Sequence, residues 1–358
     1  MTQTPRTSLE DLGWADPFKA AFEARGIPGE IPARVVEEQR GSYIVYCEHG
    51  DLTANISGRL RHHARRREDF PAVGDWAAVT ARPGEGSATL EAVLPRRSKL
   101  SRKTSGQQSD EQLIAANLDT VFIVTSLNKE FNARRVERYL ALIADSRARP
   151  VILLNKTDLG TDPAAALKEL APAAPGVPIL AVSALTGAGL DGLASYLKRG
   201  KTVALIGSSG VGKSTLINRL IGSDRQAVRK IRMADDRGRH VTTFRRLIPL
   251  PQGGLLIDTP GMRELQLWES QGVEDTFADI AALIDHCRFT TCKHRTDSGC
   301  AVQAAIADGR LPVVRFQHYQ KLTRESASLA EKRAAEALFK ANQKVKRVRA
   351  AYRREPRE

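Results

Sequence analysis

Gly207-Ser208-Ser209-Gly210-Val211-Gly212-Lys213-Ser214 follows the apolar run Val203-Ala204-Leu205-Ile206 and leads into Thr215-Leu216-Ile217-Asn218. A strand that runs into G-x-x-x-x-G-K-[ST] and then into a helix has the pattern and context of a phosphate loop. The glycines let successive backbone N–H groups turn toward a polyphosphate, and the helix that starts there adds the positive end of its dipole. Lys213 is placed to reach the β- and γ-phosphates, and the Ser214 hydroxyl to ligate Mg²⁺. The phosphate-contacting set is expected to be Gly207, Ser208, Ser209, Gly210, Val211, Gly212, Lys213, Ser214 and Thr215.

Base choice is written upstream, in Asn155-Lys156-Thr157-Asp158, which closes the apolar strand Val151-Ile152-Leu153-Leu154. A carboxylate at Asp158 accepts two hydrogen bonds from guanine N1–H and N2–H₂, whereas adenine would leave it unpaired. The sequence therefore reads as GTP over ATP. Ser183-Ala184-Leu185, after the apolar run 178–182, supplies a second base-side element, and a backbone N–H near Ala184 is expected to meet guanine O6. Downstream, Gly254-Leu255-Leu256-Ile257 leads into Asp258-Thr259-Pro260-Gly261, a D-x-x-G turn in which Asp258 holds Mg²⁺ through water and the Gly261 N–H senses the γ-phosphate. The polar stretch 235–243 between them suits a switch loop, with Thr242, or Thr243 beside it, closing over Mg²⁺.

Each GTPase element occurs once, yet Asn155 and Ser183 precede Gly207, the reverse of the usual order. Two domains would need duplicate motifs, so the order implies one circularly permuted domain. In these residues the chain resembles the circularly permuted RsgA family, the ribosome small subunit-dependent GTPase A. Met262 stands where a hydrolysing Ras-like GTPase carries its water-orienting glutamine, and a thioether cannot do that job. The resemblance implies a switch-loop histidine as substitute. His240 stands at the matching place, and an imidazole can position water or act as a base near neutral pH.

The 358 residues carry 55 Lys and Arg against 41 Asp and Glu, a formal charge of +14 that points to a polyanionic partner. No apolar run reaches membrane-spanning length and no signal pattern opens the chain, so a cytoplasmic protein without a membrane partner is expected. Residues 1–29 read as an N-terminal extension with a short amphipathic helix around Leu12, Trp14, Phe18 and Phe22. In 30–97, short β-rich runs at 33–36, 42–47, 52–56, 75–79 and 89–93 suit a small barrel. Periodicity does not separate an OB from an SH3-like barrel; the resemblance implies OB. Arg61, Arg65, Arg66 and Arg67 lie between two of these strands and are candidate RNA contacts, and Arg96, Arg97 and Lys99 add charge at the exit. Residues 98–112 read as a polar linker and 113–268 as the GTPase domain, a mostly parallel α/β sheet.

From the D-x-x-G turn the chain runs directly into a C-terminal module, 269–325. Cys287-x₄-Cys292-x-His294-x₅-Cys300 offers three thiolates and an imidazole, a set suited to one structural, tetrahedral Zn²⁺. The spacing matches the zinc module of the family. His286 competes with His294, but adjacent residues rarely both reach one metal, which favours His294. Residues 326–358 read as a basic helix and tail in which Lys344, Lys346 and Arg347 are further candidate RNA contacts. The resemblance implies a monomeric GTPase that binds GTP and GDP, docks on the small ribosomal subunit and its rRNA, and assists late maturation of that subunit, which stimulates hydrolysis.

Overall fold

The computed structural model describes residues 8–103, 111–128, 131–160, 162–222, 245–258, 271–295 and 297–352. Strands β1 (Ile31–Glu38), β2 (Tyr43–Cys47), β3 (Gly50–Ile56), β4 (Trp76–Arg82) and β5 (Ser87–Val93) occupy the five runs expected to be extended. Their pairing runs β1-β2-β3-β5-β4 and closes back from β4 to β1, with β3–β5 parallel and the rest antiparallel. That closed order, with helix α2 (Gly58–His63) between β3 and β4, is the OB arrangement. Alternate residues point inward: Val35, Val45, Leu52, Ala54, Val79 and Leu90 form the barrel core.

Where an irregular linker was expected, β6 (Lys99–Lys103) pairs antiparallel with β7 (Glu111–Ala116). The polar composition hides the reason. Leu100 is the one apolar residue of β6, and it is buried against β7, whose run Leu113-Ile114-Ala115-Ala116 is buried throughout.

The second sheet has the order β10 (Ile179–Ala181), β9 (Arg149–Asn155), β8 (Thr120–Ser126), β11 (Thr202–Ile206), β13 (Leu255–Asp258), β12 (Arg246–Pro249). All neighbours are parallel up to β13, and β12 is the antiparallel edge. The fully buried β8, flat runs of Val and Ile in β9 and β11, and covering helices α3 (Ala133–Ala144), α4 (Pro163–Leu170) and α5 (Lys213–Ile221) are what a two-sided parallel sheet requires. The chain first builds outward from β8 through β9 and β10, then returns to β11 on the other side. A crevice for ligand therefore opens at the carboxyl ends of β8 and β11. One residue pair, Glu37 with Arg246, joins this sheet to the barrel through β1 and β12.

Arg34 fixes that junction. Fully buried in β1, it donates to the carbonyls of Leu12 and Gly74 and to Thr202 Oγ1 (3.0 Å), tying the N-terminal segment, the barrel and β11 together. Its guanidinium lies 5.5 Å from the Trp76 ring centroid, and burial pulls its pKa down to about 9. Helix α1 (Asp16–Glu23) and Trp14 pack on the same Trp76, with the two indoles 4.6 Å apart.

The C-terminal module comprises α6 (Gln271–Thr276), α7 (Ala278–Asp285), α8 (Ala301–Ala307) and α9 (Val313–Tyr352). The last helix runs unbroken through the boundary expected at residues 325 and 326. Phe277, Ile280, Val302, Phe316 and Leu322 share a core with Ala141 of α3, so the module is seated on the GTPase domain. At that seam the buried Glu137 of α3 accepts from Arg315 Nη1 at 2.5 Å and pairs with His318 Nδ1, while Arg315 also donates to Asp279 at 2.8 and 2.9 Å.

Candidate functional site

The phosphate loop emerges from β11 at the sheet crevice. Gly207 has φ +149° and Gly212 φ +98°; a Cβ at the first would lie 2.3 Å from the Val124 carbonyl oxygen, and at the second 2.3 Å from Asn155 Nδ2. Only glycine fits either position. Lys213 Nζ donates to the loop carbonyls of Gly207 (2.7 Å) and Ser208 (2.5 Å), so its ammonium lies over the cradle that the expected residues 207–215 enclose. No side chain caps α5 at Gly212, which leaves the helix N-terminus facing that cradle. Ser214 and Thr215 are exposed on its first turn.

Asn155, the last residue of β9 and 1% exposed, clips two loops together. Its Nδ2 donates to Val211 O at 2.8 Å and its Oδ1 accepts from Ala184 N at 2.9 Å. Lys156 takes φ +69°, turning the chain into a short 3₁₀ segment that presents Asp158. Ser183 Oγ donates to Asp158 Oδ1 at 2.5 Å and accepts from Thr186 N at 3.1 Å. In the segment where a backbone N–H near Ala184 is expected to meet guanine O6, the Ala184 N–H itself is engaged by Asn155. Among the described residues the next N–H, of Leu185, makes no hydrogen bond. One positioning residue was missed in the sequence: Arg219 of α5 donates to Thr186 O at 2.7 Å, tying the phosphate-loop helix to the base loop. An arginine late in a helix carries no signal of such a contact.

Asp258 ends β13, whose register against β11 pairs Ala204 with Ile257 and sets Asp258 just below the phosphate loop. Ser214 and Asp258 are hard oxygen donors of the type Mg²⁺ takes. His240, Thr242, Gly261 and Met262 lie outside the described residues.

Cys287, Cys292, His294 and Cys300 come together with all four ligand atoms within 4.8 Å of one another. Cys287 Sγ and Cys300 Sγ each lie 3.6 Å from His294 Nδ1 and 4.0 Å from each other. Zn–S and Zn–N bonds of about 2.3 and 2.0 Å at tetrahedral angles put these edges at about 3.8 Å for S···S and about 3.5 Å for S···N. The cluster could hold a metal ion. His294 reaches it by entering the left-handed region at φ +54°, and Gln303 Nε2 holds its carbonyl at 2.8 Å. The competing His286 instead points its Nδ1 at Ala282 O, 2.7 Å away.

Of the candidate RNA contacts, Arg61, Arg65, Arg66 and Arg67 are exposed on and after α2, Arg66 beside Glu68 at 2.7 Å. Lys344, Lys346 and Arg347 lie in α9, and their side chains are outside the description. The exit cluster has a different role. Arg96 is held by Asp75, Glu68 O and Phe70 O, Lys99 by Glu68, and Arg97 covers the Phe18 ring. Arg96 and Lys99 are spent on the barrel, and Arg97 on the N-terminal helix and on Asp119 at 3.8 Å.

A phosphate loop on the central strand of a parallel sheet, a base loop encoded before it and clipped to it by Asn155, and a barrel and a Cys₃His module on either side define a circularly permuted P-loop GTPase. The RsgA GTPase family model matches residues 93–268. A model described as 50S ribosome-binding GTPase matches 202–342, starting at the strand before the phosphate loop and leaving Asn155 outside, as a permuted order requires. The chain is 46% identical over 335 residues to the small ribosomal subunit biogenesis GTPase RsgA of Opitutus terrae, covering 91% of each. It is 42% identical to that of Streptomyces coelicolor, over 95% of this chain and 93% of that protein. The crystal structure of YjeQ from Thermotoga maritima superposes with a TM-score of 0.62 at 27% identity, covering 83% of this chain and 99% of that one. YloQ, a circularly permuted GTPase, shares the fold with a TM-score of 0.59 at 24% identity, over 84% and 96% of the two chains. The chain belongs to the RsgA GTPase family and is a GTPase.

Proposed function

We propose that this GTPase is a biogenesis factor of the small ribosomal subunit: it binds the subunit through rRNA, assists its late maturation, and hydrolyses GTP under the subunit's stimulation. The observation that carries the reading is the pair of relatives spanning over nine-tenths of the chain, both named for small-subunit biogenesis. The exposed Arg61, Arg65, Arg66 and Arg67 on the barrel and the net charge of +14 suit a phosphate backbone. The protein works as a monomer in the cytoplasm. Among the described residues no helix is long and apolar enough to cross a membrane.

In the reaction, the N–H groups of 207–212 and the α5 N-terminus bind the phosphates while Lys213 exchanges its loop carbonyls for phosphate oxygens. Asp158, oriented by Ser183, reads guanine N1–H and N2–H₂, and the Leu185 N–H supplements the donor set of the base loop. Ser214, Thr242 and Asp258 hold Mg²⁺, which offsets charge on the phosphates. Gly261 senses the γ-phosphate. With Met262 in place of a glutamine, His240 positions the attacking water, and the intrinsic rate is slow until the subunit orders the switch loop. Zn²⁺ in the Cys₃His cluster has a structural role, since four protein ligands leave it no open position.

A second reading, action on the large subunit, draws on the 50S ribosome-binding GTPase model that matches 202–342. Co-sedimentation with separated subunits in a non-hydrolysable GTP analogue and in GDP decides between them. Pelleting with small subunits, stronger in the analogue and weakened by salt, is expected; pelleting with large subunits alone would replace this proposal with the second.

A further inference from the structure

Among the described side chains every Phe, Tyr and Trp is buried or half-buried except Phe289, which is 49% exposed. The other described aromatic rings of its module, Phe277, Phe316 and Tyr319, pack inward against one another. Phe289 sits in the four-residue loop between the ligands Cys287 and Cys292, and that loop is tightly pinned. Arg288 N donates to Gly299 O and Cys292 N to Phe289 O, each at 3.1 Å. The Arg288 guanidinium lies over the Phe289 ring, 5.4 Å from its centroid, and supports it from one face. Thr290, Thr291, Lys293 and Arg295 are exposed around it, and the partly exposed Asp297 accepts from Lys293 N and Arg295 N at 3.2 and 3.3 Å. A single exposed apolar residue on a surface is ordinary. A rigid exposed ring with three cations around it, in a protein whose other described rings are covered, has the elements of a base-stacking platform.

We propose that Phe289 stacks on an unpaired nucleobase of RNA while Arg288, Lys293 and Arg295 hold the flanking phosphates, making the Cys₃His loop a reader of single-stranded RNA. The proposal rests on the RNA-bound function above and adds to it a chemical contact and a residue. Because every base has a π-face, the contact is sequence-tolerant, and it needs a base already out of a helix. The low conformational freedom of the pinned loop keeps the ordering cost of that contact small.

The test uses the full chain and two probes, purified small subunits and a short oligouridine carrying one 2-aminopurine, whose fluorescence is quenched on stacking. Wild type is expected to quench the probe and to pellet with small subunits. Phe289→Ala and Phe289→Leu should bind the oligonucleotide about 5- to 100-fold more weakly and without quenching, while Phe289→Trp restores both. Unchanged bound metal in each variant shows that the module is intact. Equal binding and quenching by Phe289→Ala overturns the stacking proposal and leaves the subunit function standing. Full binding and subunit pelleting by Phe289→Leu also overturns it, in favour of an apolar contact with protein. A wild-type chain that pellets with no subunit overturns the proposed function instead, and the oligonucleotide arm then decides the stacking contact alone.

Discussion

Asn155 hydrogen-bonds to the phosphate loop with its amide nitrogen and to the base loop with its amide oxygen, so it fixes the distance between the two loops expected to hold nucleotide. Asp158 is the proposed reader of the base. Replacing it with Asn exchanges an acceptor for a donor opposite guanine N2–H₂ and removes the charge from the bond to N1–H, so two charge-assisted bonds worth about 1.5–3 kcal/mol each are lost. GTP affinity of Asp158→Asn should fall by at least about 100-fold, with a gain for xanthosine triphosphate, whose O2 accepts; competition of the two nucleotides measured by equilibrium titration checks this. Arg34 belongs to stability. Arg34→Ala leaves the carbonyls of Leu12 and Gly74 and the Thr202 hydroxyl without their donor, and should lower unfolding free energy by about 3 kcal/mol in denaturant titration. The phosphate loop was legible in sequence because backbone geometry demands glycine at Gly207 and Gly212, whatever surrounds them. Arg34 was not, because an arginine in a strand is ordinarily a surface residue; only the fold brings residues 12, 74 and 202 around it.

At the scale of elements, the barrel strands were legible from alternation and the β6–β7 pair was not, since Leu100 is the one apolar residue of β6 and its apolar partner run 113–116 lies beyond a polar stretch. The seam between α3 and α9 was equally hidden: Glu137 and Arg315 are 178 residues apart. Although the chain passes from the D-x-x-G turn directly into the C-terminal module, the described contacts seat that module on α3, which precedes the base-reading strand β9. Glu137→Ala strips Arg315 and His318 of a buried acceptor, while Arg315 keeps Asp279. Loss of about 3 kcal/mol and earlier release of α6–α9 are expected, read as faster hydrogen exchange there than in β8 and β11. The metal cluster was legible by spacing, because four ligands over fourteen residues must close on one another. Chelation at neutral pH should release about one Zn²⁺ per chain and unfold the loop between α7 and α8 while nucleotide affinity stays within about twofold, since the two sites share no element. Metal-indicator titration with nucleotide binding measured in parallel distinguishes this from collapse of the whole chain.

In the whole molecule, the barrel joins the GTPase sheet at its β12 side through β1, and the metal module sits on α3, which packs over β8 and β9. Motif order alone revealed the permutation. It did not reveal that Arg96, Arg97 and Lys99 after the barrel have partners within the chain, because charge in a sequence carries no record of its partner. The account makes this arrangement a GTPase whose slow hydrolysis is completed by the small subunit. Turnover of GTP by the purified chain alone, with small subunits, and with large subunits, at one fixed salt concentration, tests that claim most directly. Slow turnover alone and at least tenfold stimulation by the small subunit only is the result predicted. Equal turnover in all three mixtures, or stimulation confined to the large subunit, would contradict it.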